Sequence, residues 1–399
     1  MASGLQVGGL GVCQLPAIHY VKTRSGSIPM RDALRLIKLK ACSFFLGVMR
    51  VNSAHAFRRS LLLAAVGSLA ATQAPTALSS EAGRALPRVR LALAASQSLY
   101  QLPLTLADRL GFFRQAGVQL EWLPQESGAK ALSMALSGQA DVVAGAYEHL
   151  FGLHLKGLNY QSFVQISRTP QVSLGGSTRS GMAWRSFADI RGARLGISAL
   201  DSTTHWMAAH WLLRHGLSTD DVVFVPVGSS PSVMEALRSG SIDALCNPDP
   251  VMHWLEQKND IRLLGDARTL QGTRQLMGGA VPGASLFAHA AYLQHHPDRV
   301  QALSDGVVQA LKWLQTAGLT DILKTVPASH WMGDRAVYLG AFEKLRESYA
   351  VDGVVRGEEV AHAWRAHAKL IGVFGPRQVS PERTFTNAFA YKSRVRLGA

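Results

Sequence analysis

From residue 88 onward the chain alternates short apolar runs with stretches whose apolar residues recur at helical spacing. The first series predicts strands at 89–95, 118–123 and 141–144, with helices at 102–115 and 129–136 between them. A second series begins near residue 187 and repeats the layout, with strands at 193–197, 222–227 and 242–246 and helices at 203–213 and 232–237. Ser137-Gly138-Gln139-Ala140-Asp141 and Ser239-Gly240-Ser241-Ile242-Asp243 hold equivalent places in the two series. In each, the glycine supplies the left-handed residue that ends a helix and the aspartate opens a buried strand. Alternating strands and helices predict mainly parallel α/β sheets flanked by helices, and the repetition predicts two lobes. Lobe 1 is expected to comprise 83–182 plus 275–399, and lobe 2 to comprise 183–274. Beyond Pro282 the pattern turns mostly helical, clearest at 297–314, 334–349 and 358–370, and the basic tail from Phe385 is expected to be peripheral.

Charge changes this picture only at the amino terminus. The formal net charge is +14, but nine of the 41 Lys/Arg and two of the 27 Asp/Glu precede residue 83, which leaves the body at +7. No basic run interleaved with aromatics stands in the body, so nucleic acid is not an expected partner. The skew has a local cause: a polar, basic lead from Met49 to Arg58-Arg59-Ser60 runs into the apolar segment 61–71 and then into small residues. That order is the order of a secretory signal peptide, and the apolar segment is far shorter than the roughly 20 residues of a permanent span. Residues 49–82 are therefore expected to be a cleaved signal, ending after Ala70, Ala74 or Ala82, and 1–48 a mis-called or untranslated leader. Arg58-Arg59 fits both a twin-arginine signal and an ordinary one. Of the three cysteines, Cys13 and Cys42 fall before Met49, so the mature chain keeps Cys246 alone and can form no internal disulfide. Cys246 lies in an apolar run and is expected to be a buried strand residue. No cysteine follows the apolar segment to carry a lipid, so the mature protein is expected free in the periplasm.

Catalytic patterns are missing from the mature sequence. It has no Gly-x-Ser-x-Gly, no phosphate-binding loop, no dinucleotide Gly-x-Gly-x-x-Gly after a strand and no Cys-x-x-Cys. His149/His154, His205/His210 and His362/His367 are each spaced by five, which turns their side chains roughly 140° apart on a helix and suits no metal pair. They are expected to be surface or satisfied core residues. No cofactor is implied.

What remains is polar, small and aromatic residues at the carboxyl ends of predicted strands, where open parallel sheets bind ligands. Ser98 and Tyr100 follow the first strand, and Gly145 and Tyr147 follow the third. In the second lobe Ser202, Thr203, Thr204 and His205 join a strand to a helix, and Gly228 follows the next strand. Hydroxyls and free N–H groups at a helix start hold anionic or strongly polar groups, although one hydroxyl alone would serve as a plain cap. Tyr100 and Tyr147 fit a cleft wall and core packing equally well.

These segments together resemble the nitrate/sulfonate/taurine-type substrate-binding proteins of ABC importers, relatives of thiamine-pyrimidine-precursor binders. The resemblance runs over about residues 88–290 and rests on Pro103-Leu104 with Gly111-Phe112-Phe113, on 128–144, on Asp189-Ile190-Arg191-Gly192-Ala193, on Ser202-Thr203-Thr204-His205 and on Ser239-Gly240-Ser241-Ile242-Asp243-Ala244. It implies a periplasmic binding protein fold of type II-like design with a ligand between the lobes, a monomer that hands a small molecule to a membrane permease with its ATPase. It leaves the ligand open among sulfonates, nitrate, carboxylates and pyrimidines. No arginine stands in the strand-end loops to fork onto a carboxylate or sulfonate. An enzyme on the same fold, such as a pyrimidine-precursor synthase or a dehydratase relative, and a periplasmic sensor subunit are the alternatives; the export signal argues against the enzymes.

Overall fold

A computed structural model describes residues 85–372 and 379–399; the leader and signal expected over 1–82 lie outside the described residues, apart from which every expected element can be compared. Ten strands occur among the described residues: β1 (Arg88–Ala94), β2 (Gln119–Gln125), β3 (Val142–Ala146), β4 (Tyr160–Gln165), β5 (Val172–Ser177), β6 (Arg194–Ile197), β7 (Val223–Pro226), β8 (Ala244–Pro248), β9 (Ile261–Asp266) and β10 (Ala284–His289). They form two five-stranded sheets, ordered β2-β1-β3-β10-β4 and β7-β6-β8-β5-β9. The central strands β3 and β8 are buried along their whole length; β3 is apolar throughout and β8 is apolar but for Asn247. β7 is an edge strand, with Val223 exposed and Pro226 at its end.

Both sheets run mainly one way, with one strand reversed in each. β10 is antiparallel to β3 and β4, and β5 is antiparallel to β8 and β9. Each reversed strand is the first after the chain crosses between lobes. Because the strands end at the side facing the other lobe, a crossing chain enters its new sheet from that side and must run away from it. The second sheet takes in Val172–Ser177, so the crossing lies ahead of the boundary expected at residue 183.

The crossing segments lie side by side. Gly283 N–H donates to Ser167 O (2.9 Å), Ser167 N–H to Ala284 O (3.1 Å) and Ala284 N–H to Ser167 Oγ (2.7 Å). Along the other flank of 166–168, Ala350 N–H donates to Ile166 O (2.9 Å) and Arg168 N–H to Ser348 O (2.7 Å). A Cβ on Gly283 would come within 2.0 Å of Thr169 O, so only glycine permits this approach.

One apolar cluster packs helices Leu102–Arg109 and Pro297–Thr316 on the first sheet. Another continues from Val143 and Phe151 of the first lobe into Ile197 and Met207 of the second, which closes the molecule behind the cleft. The helix expected over 102–115 breaks at Gly111, whose φ of 77° starts a separate helix Phe112–Gln115. The tail from Phe385 is not peripheral. Helix Ala388–Leu397 packs on Pro297–Thr316, where Ser393 Oγ donates to the buried Asp305 carboxylate (2.6 Å) and Arg396 pairs with it. A carboxylate on the buried face of a long helix needs such partners, and the tail supplies them. No helix among the described residues is long and apolar enough to cross a membrane.

Candidate functional site

The carboxyl ends of β1, β2, β6, β7 and β8 converge on a cleft of ≈ 640 Å³. An inner pocket of ≈ 50 Å³ adjoins it, sharing Ala95, Ser198, Ser229 and Pro248. Two bonds join the lobes here: Ser229 Oγ donates to Glu126 O (3.0 Å) and Leu99 N–H to Asp249 O (3.0 Å).

The first lobe brings hydrogen-bonding groups that the protein does not use. After β1 the chain turns at Ala95, with a φ of 50°, into Ser98–Gln101. Ser98 Oγ and the Tyr100 hydroxyl are buried without a partner. Gln101 Nε2 donates to Ala94 O (3.1 Å), which leaves its Oε1 buried and unpaired. Burial pushes the Tyr100 phenol well up, and the nearby Glu148 carboxyl adds to this, so the group stays a neutral donor. After β2, Ser127 Oγ accepts from Lys130 N–H (3.2 Å) and caps helix Gly128–Leu136, whose first turn faces the inner pocket at Gly128.

The second lobe answers with helix Thr203–Arg214, which opens at the same pocket. Its hydroxyls divide their work. Thr204 Oγ1 accepts from Ser198 N–H (2.8 Å) and meets Ser202 Oγ (2.9 Å), while Ser202 Oγ donates to Ala199 O (2.7 Å). Ser202 and Thr204 therefore hold the 198–204 turn, and Ser202 caps nothing with its side chain. Thr203 is left facing Tyr100 across the pocket. Two helix starts from opposite lobes thus present free N–H groups and positive dipole ends to one small space.

Charge at the cleft is largely neutralised within the protein. Lys130 pairs with Glu126, and Asp249 pairs with Arg268 (3.2 Å), a fully buried guanidinium that also meets Asp266 (2.7 Å) and Glu256 (3.0 Å). Lys130 is the lining's one lysine among the described residues, and no arginine lines it.

Behind the pocket stand buried histidines. A Cβ on Gly128 would meet His149 Nε2 at 2.9 Å, and one on Gly145 would meet His149 Cδ2 at 3.6 Å, so the imidazole backs both glycines. His149 and His367 pack edge-on against Trp206, at 4.8 and 5.3 Å between ring centroids. His149, His210 and His367 each keep a ring nitrogen without a partner, which departs from the surface or satisfied core places expected for them. Burial drives all three down to about 4, with His367 adding to the effect on the other two, so they are neutral at pH 7. Burial also pushes Glu148 up to about 7. Among the described residues no such groups are placed as a metal ion would need.

The structure brings together seven of the nine residues expected at the site. Ser98 and Gly228 line the outer cleft, and Tyr100, Gly145, Ser202, Thr203 and Thr204 line the inner pocket. Tyr147 and His205 are corrections. Tyr147 is fully buried behind the sheet, its hydroxyl 2.7 Å from Thr384 Oγ1. His205 turns away to accept from Asp201 N–H (3.1 Å) and to rest against Phe224. Sequence reading missed Gln101, Ser127 and Gly128. The strand-end rule applied after β2, as it was after β1 and β3, would have found Ser127 and Gly128. Cys246 is buried in β8 as expected, its thiol pushed up by burial.

Known proteins share this architecture. A protein of Bordetella bronchiseptica RB50 is 36% identical, with a TM-score of 0.76 over 79% of this chain and 100% of that one. The alkanesulfonate-binding protein SsuA from Xanthomonas axonopodis pv. citri, bound to MOPS, is 18% identical, with a TM-score of 0.58 over 76% of this chain and 100% of its own. Among curated proteins, the 4-amino-5-hydroxymethyl-2-methylpyrimidine phosphate synthase of Schizosaccharomyces pombe (strain 972 / ATCC 24843) is 23% identical over 208 residues, 51% of this chain. The match spans 58% of that enzyme, less than two thirds of its length. The NMT1/THI5 like pattern matches residues 98–317, more than half of the chain, which has the periplasmic binding protein fold and belongs to the NMT1/THI5-like family.

Proposed function

We propose that this chain is the periplasmic solute-binding component of an ABC importer. Its lobes close on a small polar or anionic organic molecule and release it, chemically unchanged, to an inner-membrane permease and its ATPase. One observation carries the reading: the helix starts at Gly128 and Thr203, from opposite lobes, meet at one pocket beside the unpartnered Ser98 and Tyr100 hydroxyls. A ligand held by both lobes makes the closed form more favourable than it is without ligand, which is what a capture protein requires. Neutral donors and dipole ends, rather than arginine, would hold a sulfonate or carboxylate head. The alkanesulfonate-binding relative supports that class. The protein acts as a monomer, without nucleic acid or cofactor.

A second reading, an enzyme, is favoured by the synthase relative and by Glu148 and His149, an acid and a neutral imidazole just behind the pocket. One experiment separates the two. A thermal-shift screen of sulfonates, carboxylates, nitrate and pyrimidines finds the ligand, and mass spectrometry after long incubation returns it intact. Turnover of the ligand would establish the enzyme instead.

A further inference from the structure

The cleft is lined by more than strand ends. His330 and Met332 also reach it, from the connection between helices Leu319–Thr325 and Arg335–Leu345, far along the chain from either series of strands. Helix Arg335–Leu345 belongs to the first lobe, since Tyr338, Ala341, Phe342 and Leu345 are buried in the apolar cluster of the first sheet. It starts at Asp334, whose carboxylate accepts from Ala336 N–H (3.0 Å) and Val337 N–H (3.1 Å). Just ahead of it, Asp334 N–H donates to Trp331 O (3.0 Å) and closes a turn with φ of 53° at Met332 and 80° at Gly333. Left-handed backbone is ordinary for the glycine and unfavourable for the methionine. The turn sends neighbouring side chains to opposite lobes. Trp331 packs on the first lobe's cluster with the Arg335 guanidinium 4.6 Å over its ring, whereas Met332 packs on a separate cluster of the second lobe that holds Val233, Leu237, Val251 and Leu255.

The same helix meets the second lobe twice more. A Cβ on Gly340 would lie 2.9 Å from His253 Nε2, and Lys344 pairs with Glu256 (3.4 Å) and Asp266 (3.2 Å) close to Ser348 of the crossing segments. The 11 residues of the helix put about 16 Å between that end and the cleft end. Opening about the crossing segments therefore parts the lobes little at Lys344 and most at Met332. Lys258 and Asp334, 4.0 Å apart at the cleft end, are both well exposed, so water screens their pair and Met332 carries the contact.

We infer that the 328–334 turn is a latch on the cleft: Met332, held out from the first lobe by a strained turn, plugs into the apolar cluster of the second lobe when the lobes are together and withdraws when they part. This goes beyond the binding reading above and holds equally if the cleft serves an enzyme, because it concerns opening alone. An apolar latch favours the joined state through water exclusion and so holds it at high salt, where a latch of exposed ion pairs would weaken.

Alkylation of a thiol introduced into the full chain by Ser98→Cys tests this without a ligand. Ser98 lines the cleft and is 7% exposed, so iodoacetamide reaches position 98 chiefly in the open form. The rate, read by mass spectrometry of the peptide that carries position 98, follows the open fraction. In that background Met332→Asn keeps a residue that tolerates left-handed backbone and removes the apolar contact. It should speed alkylation about tenfold, as expected from the loss of about 60 Å² of apolar burial in the joined state. Met332→Leu, which keeps the contact, and Lys344→Met, which breaks a pair that opening does not part, should each stay within about threefold of the parent. Circular dichroism checks that each variant folds, and Met332→Ala takes the place of Met332→Asn if the latter does not. An unchanged rate in the folded Met332 variant overturns the inference. So does an equal rise in Lys344→Met, since opening would then not be levered about the crossing segments. A screen that finds no ligand leaves the latch standing, and a failed latch leaves ligand binding standing, so the two readings fail separately.

Discussion

Acid should unfold this protein through its three interior imidazoles. His149, His210 and His367 are at most 6% exposed, and each has a ring nitrogen that nothing solvates. Burial holds them at about 4 in the folded chain, against an ordinary value of 6.5, so between those limits the unfolded chain binds protons that the folded chain refuses. Their contribution is complete above pH 6.5 and is lost as the pH falls towards 4. Glu148 acts in the opposite sense, because burial raises it from 4.5 to about 7 and the folded chain then holds the extra proton. Three groups against one leave about two protons favouring the unfolded chain, or at most about 2.7 kcal/mol per pH unit. Integrated from pH 7 to pH 5, with partial titration at both ends, the loss is about 3 kcal/mol, a large share of the 5–15 kcal/mol typical of a folded protein. Urea denaturation followed by tryptophan fluorescence at pH 7, 6 and 5 measures it. His367→Gln should shrink the loss by just under about 2 kcal/mol, and Glu148→Gln should enlarge it by about 2 kcal/mol. Stability that is flat or rising as the pH drops from 7 to 5 would refute the account, since the imidazoles could not then be buried and neutral.

Other outcomes follow from the cleft and the joint between lobes. Thr203→Ala should weaken ligand binding by about tenfold to a hundredfold with little change in melting temperature, whereas Thr204→Ala should lower stability by about 1–3 kcal/mol by stranding Ser198 N–H; calorimetry and melts on the pair read the difference. Ser229→Ala removes the bond to Glu126 O and should shift the unliganded protein towards open forms by about fivefold, visible as a larger radius of gyration in solution scattering. Arg268→Met leaves the fully buried Asp249 without its counter-charge, while Asp266 keeps Lys344 (3.2 Å), and should cost about 3–5 kcal/mol in a denaturant titration, unless Asp249→Asn is introduced with it.

The two-lobed plan was legible because each of the two series carries short apolar runs, such as Val142–Ala146 and residues 244–246, and because a glycine closes one helix in each series at Gly138 and Gly240. The strands at the lobe junction were not. β4 reads Tyr-Gln-Ser-Phe-Val-Gln, and its buried Ser162 and Gln165 look like loop residues until Gln165 is seen bonded within the crossing region through Ser167 O. β5 carries Gly175 and Gly176, which depress strand propensity, yet a Cβ on Gly176 would lie 2.3 Å from Trp184, so the close packing demands them. Strand direction leaves no trace in a period of two, which is why the reversed β5 and β10 could not be read. At the site, residues just past a strand were legible as a class, but facing was not: β3 runs to Ala146, and Tyr147, one position further, turns into the core beside Thr384. Nor does sequence show which of three adjacent hydroxyls is free, because Ser202 and Thr204 are spent on a residue four to six positions upstream.

The side-by-side packing of 166–168 with 283–284 and 348–350 makes the joint a three-ply ribbon rather than a pair of separate threads. Two independent linkers would let one lobe swivel, slide and tilt on the other. A laminated strip flexes across its thin direction but resists torsion and sideways sway, since those would shear hydrogen bonds between plies. Motion between the lobes is thereby reduced to one hinge-like coordinate. If the proposed capture of a solute is right, each approach of the lobes brings Gly128 and Thr203 back to the same facing positions, so the geometry of recognition would be reproduced without the ligand having to steer it.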